Sequence, residues 1–178
     1  MKRLAFILIF AFLPPAFAGQ WTIGERTSAF LPDDDNFSHK PQLQTGINLT
    51  YFFNKTLAVE LEISNIRFNS SKTRYTNGSQ FKEAFILING QLRLPLNDRF
   101  SLYGVYGYGI AFYYDKHLDR ETLSANMSQA AKYGAGFDYK LNKKIALNIE
   151  GAYYYSDTER SSIDTWGWSI GTGLKYYF

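Results

Sequence analysis

The last thirteen residues, Trp166 to Phe178, alternate without a break. Trp166, Trp168, Ile170, Thr172, Leu174, Tyr176 and Phe178 hold one parity, mostly apolar or aromatic and uncharged. Gly167, Ser169, Gly171, Gly173, Lys175 and Tyr177 hold the other, small or polar, with the only charge. Side chains at a period of two leave opposite faces of a strand. One greasy face and one small, polar face is what a transmembrane barrel strand needs, with lipid outside and a narrow polar lumen inside.

The opposite terminus predicts export. Lys2 and Arg3 precede an apolar run from Leu4 to Leu13, followed by Pro14, Pro15 and Ala16-Phe17-Ala18. A basic start, a short apolar segment and an A-x-A site describe a secretory signal peptide, too short to cross a bilayer as a helix. We expect residues 1–18 to be the signal peptide and 19–178 to be the barrel domain. Losing Lys2 and Arg3 leaves 17 basic against 16 acidic residues, so charge does not suggest a nucleic-acid partner. With no cysteine, disulfides and thiolate chemistry are excluded.

The same alternation recurs. Leu43 to Phe53, Leu57 to Ile63, Ala84 to Leu94, Leu102 to Tyr114, Ala131 to Leu141 and Ile145 to Tyr155 each place apolar residues on one parity. With the terminal segment these make seven strands of about ten residues, enough to cross a bilayer when tilted. Near Asn65 the phase slips to Ile66 and Phe68, which predicts a bulge. Gln20 to Phe30 must supply the eighth strand. There, one parity sends Glu25 into lipid and the other sends Arg26, so either Gly24 marks a bulge or the strand leaves the membrane early.

Connections of about 54–56, 95–99 and 142–144 are short, and those of about 31–41, 69–80, 115–129 and 156–165 are longer and polar. This strict alternation fits tight periplasmic turns and longer outer loops. A soluble lipocalin-like barrel would have to put the bulky aromatic parity inside, where an eight-stranded lumen has little room. The expected fold is therefore all-β, an eight-stranded antiparallel transmembrane barrel in the outer membrane.

Glu60, Glu62, Arg93, Lys132, Asp138, Lys140, Glu150 and Lys175 all fall on the lumen parity. Buried charges require partners, so we expect a salt-bridge network filling the interior, with Glu60 or Glu62 paired to Arg93. An ion pathway is the alternative, disfavoured by the narrow diameter.

Leu102-Tyr103-Gly104-Val105-Tyr106-Gly107-Tyr108-Gly109, Tyr133-Gly134-Ala135-Gly136-Phe137, Ile145-Ala146-Leu147-Asn148, the ending from Thr165 and Gly46-Ile47-Asn48-Leu49-Thr50-Tyr51 carry a family likeness. In these segments the chain resembles the OmpX/Ail (Lom) group of small outer-membrane proteins, within the wider OmpA-like or opacity-type barrels. The resemblance implies an eight-stranded barrel with adhesion, host-surface interaction or membrane-integrity roles; no cofactor is expected. It also implies that Leu174, Tyr176 and Phe178 are the signal read by the barrel assembly machinery. Outer-membrane lipid, lipopolysaccharide and host surface components are the expected partners of a monomer.

Enzymatic chemistry finds little footing. The only histidines are His39 and His117, both in outer connections. Ser38 beside His39 with Asp33, Asp34 and Asp35 is a neighbourhood in sequence, not a catalytic geometry. The three aspartates lack the glycine and closing glutamate of a calcium loop. Eight-stranded lipid A deacylases place His and Ser two apart on a late strand, where this chain reads Tyr154-Tyr155-Ser156. Lys72, Arg74, Tyr75, Lys82, Lys116 and His117 are the candidate contacts to lipopolysaccharide phosphates or a host ligand.

Overall fold

The computed structural model describes residues 19–33, 40–69, 80–116, 124–157 and 165–178. Eight strands follow in chain order: β1 (Gln20–Pro32), β2 (Gln42–Phe52), β3 (Leu57–Asn69), β4 (Gln80–Pro95), β5 (Phe100–Lys116), β6 (Ser124–Lys140), β7 (Ile145–Asp157) and β8 (Thr165–Tyr177). Each pairs antiparallel with the next, and β8 pairs with β1 to close the barrel. Closure leaves no sheet edge, which is how strands meet their backbone hydrogen bonds in a membrane. Among the described residues no helix is long and apolar enough to cross a bilayer.

Following register partners around the wall from Trp21 leads through Tyr51, Val59, Gly90, Tyr106, Tyr133, Tyr153 and Trp168 to Leu31. The row returns to β1 ten residues beyond its start, and this shear tilts the strands by about 40°. Most of the row is aromatic and faces lipid, and neighbours touch: Trp21 with Tyr51 at 4.8 Å, Tyr133 with Tyr153 at 5.2 Å, Tyr153 with Trp168 at 5.1 Å between ring centres.

The short turns share one construction. Asn54, Asn97 and Asn142 each accept, through Oδ1, the amide hydrogens two and three residues on, at 2.7–2.9 Å. In each the preceding residue's N–H donates across the turn, Phe53 to Leu57, Leu96 to Phe100 and Leu141 to Ile145. The asparagine supplies the acceptor that a tight turn lacks.

The strands are longer than the alternation alone predicts. β5 and β6 each have 17 residues, and β6 starts at Ser124, inside the stretch expected to be loop. Two local expectations need correction. No bulge occurs near Asn65: β3 and β4 pair without interruption from Leu57 to Asn69, which turns Ile66 into the lumen, fully buried. Nor does β1 bulge at Gly24 or break off. It pairs with both neighbours from Thr22 to Phe30, sending Arg26 inward and Glu25 outward. The carboxylates awaiting Arg26 in the lumen explain the choice.

Candidate functional site

The lumen holds two layers of different chemistry. Toward the short turns and through the middle it is ionic. Glu62, on β3, receives Arg26 at 2.8 Å and Lys132 at 2.6 Å. The Tyr154 hydroxyl and the Asn89 amide donate to the same carboxylate at 2.8 and 3.1 Å. Glu150, on β7, receives the second Arg26 nitrogen, Lys132 at 2.6 Å and the Tyr103 hydroxyl at 2.8 Å. Two cations and two carboxylates from four strands thus form one neutral cluster.

A second cluster lies nearer the turns. Asp138 accepts from Arg93 at 2.5 Å, from Lys175 at 3.1 Å and from the Asn148 amide at 2.7 Å. Arg93 also donates to Gln91 and Ser101. Gln91 in turn donates to Glu60 at 2.9 Å, and Thr50 and Asn89 complete that carboxylate's shell. Glycines opposite these side chains make the room: a Cβ on Gly107 would overlap the Asn89 amide, and one on Gly136 would overlap the Tyr103 ring.

The expected pairing of Arg93 with Glu60 or Glu62 is therefore wrong. Arg93 sits two residues from the end of β4, and the climb of the register puts Asp138 of β6, not the higher carboxylates of β3, within its reach. Lys140 also falls outside the network. It is exposed at the mouth on the turn side, its ammonium 5.5 Å from the centre of the Tyr177 ring. Arg26, undecided in the sequence, joins both carboxylates of the first cluster. Glu83 was not singled out either: it is buried and accepts from Ser156 at 2.8 Å.

The half of the lumen away from the short turns carries an apolar cluster. Phe30, Ile66, Phe85, Leu87, Ala111, Ala130, Ala152 and Tyr154 form one buried cluster, each at most 1% exposed. Tyr154 joins the layers, its ring 5.4 Å from Phe85 and 6.3 Å from Phe30 while its hydroxyl reaches Glu62. The interior was expected to be ionic throughout, yet Phe85, Leu87 and Ile66 already lay on the lumen side of the pattern. Beside this cluster the wall of β1, β2, β3 and β8 is polar: Ser169 donates to Gln44 at 2.6 Å, and Gln44 and Ser64 are 3.5 Å apart.

Ser156 and Tyr154, at the place where a deacylase carries its Ser and His, both point into this closed lumen. The Ser156 hydroxyl is spent on Glu83 and on the Thr165 carbonyl, so no nucleophile faces lipid there. Among the described residues no three His, Cys, Asp or Glu side chains gather to hold a metal ion. Leu174, Tyr176 and Phe178 face outward at the turn end, with Tyr176 and Phe178 in edge contact and the Phe178 amide donating to Trp21. Of the candidate loop contacts, Lys72, Arg74, Tyr75 and His117 lie outside the described residues. Lys116 ends β5, opposite Gln80. Lys82 is outward and exposed, register partner to the equally exposed Arg67.

Comparison with known proteins agrees with this architecture. A family described as the outer membrane protein beta-barrel domain matches residues 4–178. Outer membrane protein X of Enterobacter cloacae is 27% identical over 108 residues, which is 60% of this chain and only 60% of that relative's length. Among solved structures, Neisserial surface protein A superposes with a TM-score of 0.69 at 11% identity, covering 90% of this chain and 97% of that one. OprG of Pseudomonas aeruginosa gives 0.61 at 20% identity, covering 90% and 96%. Ail of Yersinia pestis, solved with the heparin analogue sucrose octasulfate, gives 0.57 at 18% identity, covering 90% and 97%. At these identities the structural likeness speaks for the fold.

Proposed function

This chain belongs to the outer membrane protein beta-barrel domain family, and on that premise we propose that it is a non-enzymatic surface protein acting through its outer connections. Its work is adhesion to host surfaces or maintenance of the membrane. One observation carries the reading: the lumen is filled, by the Phe30–Phe85–Tyr154 cluster and by a neutral ionic cluster beneath it. A filled barrel with no nucleophile at the deacylase position offers the connections as its interactive surface.

The outer rim gives the reading a chemical preference. Arg67 and Lys82 stand side by side facing outward, and neighbouring like charges favour an anion between them. Lipopolysaccharide phosphates lie at that depth. Lys72 and Arg74 in the adjoining connection would extend the same preference to a sulfated or phosphorylated host ligand. The Ail structure with a heparin analogue supports a polyanion as the ligand class.

Replacing residues 70–79, and separately 117–123, with short turns tests the proposal. Both variants should remain folded and heat-modifiable, with adhesion or serum survival reduced. Unchanged adhesion and serum survival in both would refute it. An altered lipid A mass spectrum on expressing the protein would instead establish a lipid-modifying enzyme.

A further inference from the structure

One ionisable side chain faces the wrong solvent. Glu25 points out of β1 into the lipid belt, exposed, and makes no hydrogen bond or ion pair within the described residues. It stands four residues above Trp21. At about 3.3 Å per residue and a tilt near 40°, that is about 10 Å above Trp21, within an apolar band about 25 Å tall. Hydrocarbon cannot satisfy a carboxyl, ionised or not.

Glu25 is not alone. The next outward residue on β1 is Thr27, whose register partners are Thr45 on β2 and Thr172 on β8. Thr45 is paired in turn with outward-facing Asn65 on β3, its hydroxyl 3.4 Å from the Asn65 carbonyl oxygen. A polar row thus crosses four adjacent strands inside a belt that elsewhere presents Leu, Ile, Tyr and Trp. The Thr172 hydroxyl is already spent on the Asn148 carbonyl at 3.0 Å, whereas the Thr27 hydroxyl, beside Glu25, has no partner among the described residues.

We propose that this face, centred on β1, is a homodimer interface within the membrane, with Glu25 and Thr27 hydrogen-bonded across it to a second copy. Hydrogen-bonding complementarity selects the occupant. A two-fold axis along the membrane normal brings like depths together, so Glu25 meets Glu25 and Thr27 of the copy. A hydroxyl both donates and accepts, so Thr27 of each copy can donate to Glu25 of the other and the patch satisfies itself. No lipid-facing cation at that depth, among the described residues, competes for Glu25. The proposal departs from the monomer expected from the sequence.

The absence of native cysteine makes the test direct. Ile23, exposed on the same face of β1, and Ile88, exposed on β4, are replaced singly by Cys. Each variant is reconstituted into phospholipid vesicles at high lipid-to-protein ratio. Ile23→Cys should oxidise to a covalent dimer and Ile88→Cys should not. Energy transfer between dye-labelled copies should give a dissociation constant that rises about tenfold for Glu25→Leu. It should be nearly unchanged for Glu25→Gln, whose amide still donates and accepts. Thr27→Val, milder for folding, should weaken association in the same direction. Energy transfer no greater than chance coincidence would overturn the proposal and leave a monomer. So would equal crosslinking at Ile88, or association indifferent to both Glu25→Leu and Thr27→Val.

Discussion

Removing the charge of Glu62 should unbalance the barrel interior. Its carboxylate holds Arg26, Lys132, the Tyr154 hydroxyl and the Asn89 amide. In Glu62→Gln, Arg26 and Lys132 are left against Glu150 alone, one excess positive charge in a space sealed from water. Breaking a buried pair from one side costs about 3–5 kcal/mol. Lys132→Met alone strands an excess negative charge and should cost a similar amount. The double variant retains Arg26 against Glu150, a balanced pair, so its loss should fall below the sum of the singles by about 2–3 kcal/mol. Equilibrium unfolding in guanidinium from lipid vesicles measures this, because Trp21 and Trp168 on the outer wall report loss of the lipid environment. A single-variant loss under about 1 kcal/mol, or strict additivity, would refute the reasoning and mean that water reaches the cluster.

Three further outcomes are expected. Replacing Asn54, Asn97 or Asn142 by Ala removes an acceptor for two amides in each turn and should cost about 1 kcal/mol apiece by the same unfolding assay, with Asp in their place nearly neutral. Planar-bilayer recording of the native chain should show no discrete conductance, whereas the combined Phe85→Ala, Leu87→Ala and Tyr154→Ala variant should open a small ion pathway; conduction by the native barrel would contradict the filled lumen. Phe178→Asp should lower the yield of inserted, heat-modifiable barrel in cells more than it lowers the stability of refolded protein, and equal yield would dismiss the terminal strand as an assembly signal.

Alternation alone made most of the wall legible. A period of two assigns each side chain to lipid or lumen, so Lys132, Asp138, Glu150 and Lys175 could be placed inside before any neighbour was known. Who meets whom was not legible, because that depends on shear, a property of closure around all eight strands. Arg93 therefore found Asp138 two strands on, not the carboxylates of β3. Arg26 and Glu25 are the instructive pair. A propensity argument wants neither in lipid, and two lumen carboxylates decided which one stays inside. Ile66 was misread for the related reason that an apolar residue on the lumen parity looks like a slip of phase. The three asparagine turns were present in the sequence as Phe53-Asn54, Leu96-Asn97 and Leu141-Asn142, each closing four residues on with an apolar residue, a repeat too short to stand out without the hydrogen bonds.

The apolar layer around Phe85 and Tyr154 also acts as a stopper for electrolyte. Dissolved ions weaken attraction between charges only where they can approach within a Debye length through water. Lys132 and Glu62 are buried beneath that layer, with lipid on every side. The cohesion of the barrel should then be nearly indifferent to the salinity of its surroundings. The exposed rim pair of Arg67 and Lys82 should follow every change in it. A bacterium moving between dilute and salty surroundings would thus keep the same anchor in its wall while the grip of that anchor's outer edge rose and fell.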